Sequence, residues 1–128
     1  MSIRIFVLPT QYDIIDFRQG RRPENIIVRD FDSAAEVHAY EDGINAIDDQ
    51  YDRIQDLRVI GSKVVYSHRS EDPDADSVTR KAEKEFATAA EAAAYCKGLD
   101  DAEGCAAPLL IDADDDRFEQ LQAWSATN

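Results

Sequence analysis

The residues best placed by type and spacing to do chemistry are acids. Asp72, Asp74 and Asp76 alternate along a polar stretch, and Glu83 follows eleven residues after Asp72. Calcium loops of the EF-hand kind take oxygen ligands from positions one, three, five and twelve, because a hard cation needs six or more oxygens around it. All four acids fall on those positions. The sixth position, however, needs glycine for a sharp turn and is Ser77, and the eighth, usually apolar, is Thr79. The flanks read as strands, where an EF-hand has helices. A solvated acidic turn is the expectation. No metal ligand is assigned, and Asp72, Asp74, Asp76 and Glu83 stand as the candidates if a divalent cation binds weakly.

A second cluster, Asp112, Asp114, Asp115 and Asp116, follows an apolar run and opens a helical pattern. Magnesium and phosphoryl-transfer aspartates often occupy such a place. No lysine-bearing glycine loop accompanies it, so helix capping and solvation are expected there. The two histidines, His38 and His68, belong to no metal-spaced pair, and a nucleophilic cysteine would need one of them beside Cys96 or Cys105 in space. Phosphate-loop, dinucleotide-glycine and nucleophile-elbow patterns do not occur. The expectation is therefore no catalytic residue and no cofactor. Arg18, Arg21 and Arg22 form a short basic stretch, read as local ion-pair partners.

The elements that would position these groups come from a chain of 128 residues, 44% of them hydrophobic. That length suits one domain with a core that needs no metal or disulfide staple. Cys96 is expected on a helix and Cys105 just past its end. Eight helical residues already span ~12 Å, against ~5.5 Å between bridged Cα atoms, so a disulfide is not expected. The apolar runs are far short of the ~20 residues that cross a bilayer. Strand-like sequence starts at Ile3 with no basic segment before it, so a signal peptide is not expected. Cytoplasmic residence is the expectation.

Charge is the loudest global feature. With 14 Lys and Arg against 27 Asp and Glu, the net charge is −13. Nucleic acid and anionic membrane both call for a basic surface, so neither is expected as a direct partner. Acidity of this kind serves solubility, reflects a salt-rich habitat, or forms an interaction surface for a basic protein.

An internal repeat organises the chain. Residues 31–44 align without gaps on residues 86–99, an offset of 55, with seven identities in fourteen positions: Phe31/Phe86, Ala34/Ala89, Ala35/Ala90, Glu36/Glu91, Ala39/Ala94, Tyr40/Tyr95 and Gly43/Gly98. Ser33 and Thr88 suit helix N-caps, with Glu36 and Glu91 three residues later completing capping boxes. On a helical projection Ala35, Ala39 and Gly43 form a stripe of small residues beside Val37, Tyr40, Ile44 and Ile47. The second copy repeats it with Ala90, Ala94 and Gly98 beside Ala92, Tyr95, Leu99 and Ala102. A glycine inside a helix costs ~1 kcal/mol relative to alanine. Its presence at the same place in both copies predicts close packing there.

Strand patterns precede each helix: Ile3–Leu8, Ile14–Arg18 and Ile26–Phe31 before the first, Leu57–Ile60, Val64–His68 and Val78–Phe86 before the second. Gly61-Ser62 reads as a tight hairpin turn. Gly104 reads as a helix stop, Pro108–Ile111 as a buried strand, and Asp114–Trp124 as a final helix. The expected fold is α+β in one domain. Two duplicated strand-strand-strand-helix units (3–49 and 57–104) share one mostly antiparallel sheet, and a strand and short helix (107–124) close it. Such a sheet would leave an edge or face open, which favours a homodimer.

The function expected is that of a non-enzymatic protein–protein interaction module, an accessory protein. Two alternatives stand beside it. One is an inhibitor that mimics nucleic acid and binds the basic cleft of a nuclease or DNA/RNA-binding protein. The other is a weak divalent-metal-binding protein.

Overall fold

In a computed structural model of the chain, residues 2–47, 50–74, 78–105 and 107–126 are described. The fold is α+β, and the described elements are four helices and two three-stranded antiparallel sheets. They run β1 (Ile3–Leu8), α1 (Gln11–Arg18), β2 (Ile27–Phe31), α2 (Ala34–Asn45), β3 (Asp52–Ile60), β4 (Lys63–Ser70), β5 (Arg80–Glu85), α3 (Ala89–Ala102), β6 (Leu109–Ile111) and α4 (Phe118–Ala126). One sheet has the order β2-β1-β6 and the other β3-β4-β5.

Alternation along β1 explains the layering. Its successive side chains point to opposite faces. Ile5 and Val7 join a core with Tyr40, Ile44, Tyr95 and Leu99 of α2 and α3, while Phe6 and Leu8 join Phe17 of α1 and Leu121 of α4. The first sheet is thus buried on both faces. The core around α2 and α3 continues into Val64 and Tyr66 of β4. The layers therefore run α1 and α4, first sheet, α2 and α3, second sheet. The expected single shared sheet is corrected here, because the helix pair fills the space between two separate sheets.

The helix pair carries the repeat. Ser33 and Thr88 accept from the Glu36 and Glu91 amides at 3.2 Å each, as N-caps should. The expected close packing of the two glycines is also met. A Cβ on Gly43 would collide with the Tyr95 carbonyl oxygen and sit 3.0 Å from the Gly98 Cα. A Cβ on Gly98 would collide with the Tyr40 carbonyl oxygen and sit 3.0 Å from the Gly43 Cα. Ala39 and Ala94 are buried beside the crossing, but Ala35 and Ala90, two turns before it, are exposed. The aromatic pairs match as well: Phe31–Tyr40 at 5.0 Å and 46°, Phe86–Tyr95 at 5.1 Å and 47°.

Two further expectations are corrected. Ile14–Arg18 is the body of helix α1, so the first half reads strand-helix-strand-helix, and only the second half runs strand-strand-strand-helix. The Thr10 hydroxyl accepts from the Asp13 amide at 3.1 Å, and Phe17 buries against β1's outer face. The cap and the burial of Phe17 outweigh the high strand propensity of Ile14 and Ile15, a preference that context overrides. The last helix begins at Phe118, not Asp114. The aspartates before it form local turns, in which Asp112 accepts from the Asp114 amide at 3.0 Å and Asp115 from the Arg117 amide at 2.8 Å. No helix among the described residues is long and apolar enough to cross a membrane.

Candidate functional site: a basic sheet on an acidic chain

The acids singled out from the sequence are not gathered into one site. Asp72 follows β4 and accepts from the Asp74 amide at 2.9 Å, a local turn. Glu83 sits on β5 opposite Val65 and pairs with Lys63 at 2.6 Å. Val65 lies five residues back along β4 from its end at Ser70, which at ~3.3 Å per residue is ~16 Å of strand. One cation at 2.3–2.6 Å from each oxygen cannot reach both Asp72 and Glu83. Asp76 lies outside the described residues. Among the described residues no three His, Cys, Asp or Glu are placed to hold a metal ion.

The other candidates are likewise dispersed. His38 lies exposed on α2, and the His68 ring packs 6.2 Å from Tyr66. Cys96 and Cys105 are free thiols. Burial, then the nearby Asp100, pushes the Cys96 thiol up; burial, then Asp101 and Asp13, does the same for Cys105. Both are thereby moved away from the thiolate a nucleophile needs. Arg21 pairs with Asp16 at 3.0 Å, the local role expected of it.

Two polar networks lie at the helix pair. The Tyr40 hydroxyl donates to Asp101 at the end of α3, and Arg29 of β2 clamps the same carboxylate through two bonds of 2.8 Å. At the equivalent place in the second copy, the Tyr95 hydroxyl meets that of Tyr66 at 2.9 Å. Burial, and then these hydrogen bonds, hold both tyrosines well above the usual phenol range. Asp13, 1% exposed, is likewise satisfied: it accepts from Thr10 at 2.6 Å and from the Asn25 amide at 2.9 Å. These buried groups fix elements relative to one another.

What the fold does gather is positive charge. Strands β3, β4 and β5 carry Arg53, Arg58, Lys63, Arg69, Arg80, Lys81 and Lys84 against Asp52, Asp56, Glu83 and Glu85, a net of +3. The rest of the chain holds seven cations and 23 acids, a net of −16. Half of all Lys and Arg thus lie on one sheet. Val64 and Tyr66, buried against the helices, define its inner face. Cross-strand pairing then puts Arg53 and Arg58 of β3, Lys63 and Arg69 of β4 and Lys81 of β5 on the outer face, with Glu83 and Glu85. Lys63 pairs with Glu83 and Arg53 with Glu71 at 3.4 Å, whereas Arg58 and Lys81 form no ion pair with a described residue. This surface is hidden in the sequence because the cations of β3 and β4 lie five or six residues apart and those of β5 are interleaved with acids. The signal was strand alternation, which sends Arg53, Arg58, Lys63 and Arg69 to one side only once pairing and bulge are known.

Set against protein-family models, curated proteins and solved structures, the chain matches none.

Proposed function

We propose that the chain is a non-enzymatic protein–protein interaction module whose recognition element is its segregated charge. The observation that carries this reading is the +3 outer sheet set in a chain that is otherwise −16. Such a field orients a charged partner before contact and sets association rate and specificity more than affinity. The titratable groups support the same reading. The tyrosines are engaged in holding elements together, and both thiols are pushed towards the inert form. In this reading the helix–helix pair is the scaffold, descended from a duplicated unit, that holds the sheet rigid. Nucleic-acid mimicry draws less support, because acids occur on all four helices and a mimic has no use for the basic sheet.

The test is affinity capture of the tagged chain from lysate of its own source at low and high salt. Binding of each captured protein is then re-measured with purified components. A partner held at low salt and released at high salt is the expected result. Purified candidates that bind at neither salt would sink the reading.

A further inference from the structure

A strand at the edge of a sheet offers unpaired N–H and C=O groups, and natural sheets blunt such edges with charge, bulges or covering side chains. The second sheet has two edges, β5 and β3. β5 reads Arg-Lys-Ala-Glu-Lys-Glu and is blunted by charge along its length. β3 is blunted only in its first half. There the Ile54 amide donates to the carboxylate of Glu103, the residue that ends α3. Asp56 then makes a bulge, with φ 55 and a break in register between Gln55 and Arg58. Past the bulge no described side chain bonds to the edge, Arg58 is its one charge, and Leu57, Val59 and Ile60 stand 37%, 48% and 61% exposed.

The backbone geometry of this open half is readable from the turn. Gly61 (φ 65) and Ser62 join Ile60 to Lys63 in a two-residue hairpin, so Ile60 and Lys63 form a hydrogen-bonded pair. Bonding alternates along an antiparallel ladder. Val59 therefore turns its N–H and C=O away from β4, towards the open edge. Its side chain lies on the inner face with Val64, while Arg58 lies on the outer, basic face.

We propose that the edge of β3 from Leu57 to Ile60 takes up an extended segment of a partner protein as an added strand, and that this segment alternates acidic with apolar side chains. The proposal rests on the interaction reading and names its site and the partner's chemistry. Added strands draw affinity from main-chain bonds and specificity from alternate side chains. Here one set of side chains meets Val59 on the inner face. The other meets Arg58, whose guanidinium has no ion pair with a described residue and lies on a face net positive in a chain otherwise negative. The field of the whole chain steers an acidic segment to this sheet and away from the rest. A second copy of the chain would bring its own Arg58 to the same edge and is disfavoured. Nucleic acid has no amides to add to a ladder, and the outward positions of the three strands carry no aromatic ring on which bases could stack.

The experiment pans a displayed library of random dodecapeptides on the full chain, on Val59→Pro and on Arg58→Glu. Proline at Val59 removes an N–H that lies outside the β3–β4 ladder, so the fold is kept, which an unchanged melting temperature verifies. Proline-free peptides with acids at alternate positions and apolar residues between them are expected to enrich. Their affinity should fall at least about tenfold on each variant. No enrichment, a basic or proline-rich consensus, or equal retention on Val59→Pro overturns the proposal. A chain that is already dimeric by light scattering, and monomeric as Val59→Pro, overturns it in favour of a second copy. The two readings fail separately. A lysate partner held equally by wild type and Val59→Pro removes this site and leaves the interaction module standing.

Discussion

Gly43 and Gly98, equivalent residues of the two repeat copies, meet backbone to backbone, each leaving no room for a Cβ against the carbonyl of the other copy's tyrosine. The first prediction follows. Alanine at either position gains ~1 kcal/mol of helix propensity. The clash is with main chain, which cannot swing aside, and overpacking costs about 1–3 kcal/mol and occasionally more. The clash wins. Gly43→Ala and Gly98→Ala should each destabilise by about 2 kcal/mol in urea unfolding. Ala35→Gly, far from the crossing, should cost only the propensity loss. Equal effects at all three sites would refute the close crossing.

Asp101 is shared by Arg29 and Tyr40, with its side chain 8% exposed. Tyr40→Phe removes one donor and leaves the carboxylate held by Arg29, so a loss of about 1 kcal/mol is expected. Asp101→Ala strands a half-buried guanidinium and a buried hydroxyl, and about 2–4 kcal/mol should be lost. The order of the two variants in thermal melts is the check.

Alkali should act on the tyrosines. Burial first, and their hydrogen bonds to Asp101 and Tyr66 second, raise Tyr40 and Tyr95 in the folded chain. A raised folded-state value means that the neutral phenol is the form the fold prefers. The stabilisation is complete below the unfolded value near ~10 and is lost as pH climbs above it. Phenolate absorbance from these two residues should therefore appear only together with loss of secondary structure. Tyr40→Phe should remove part of the alkaline instability.

Asp56 holds φ 55 at the bulge, a left-handed conformation that aspartate tolerates and β-branched residues do not. Asp56→Gly should be close to neutral, and Asp56→Val should cost about 1–2 kcal/mol. If the bulge helps to keep the β3 edge from pairing at random, Asp56→Val should also raise light scattering on heating. Equal stability of the two variants would show that the strain is relieved by local rearrangement.

The sequence determined the α+β class, the two capped helices and their matched glycines, because these depend on local physics: capping oxygens, helical periodicity and the cost of glycine inside a helix. It also determined the Gly61-Ser62 hairpin and the strands β1, β2, β4 and β5 to within a few residues. It misread Ile14–Arg18, where Thr10 and Asp13 carried a cap signal that two adjacent isoleucines obscured. Only the tertiary structure decided that the sheet is split in two. That outcome depends on how closely α2 and α3 approach, and a stripe of small residues does not say whether a helix, a sheet or solvent faces it. The tertiary structure also decided where the charge lies. Arg53, Arg58, Lys63 and Arg69 share a face only because pairing with β4 and the bulge at Asp56 fix which way each points. Strand register has a period of two, so a shift of one residue would have turned the same side chains inward.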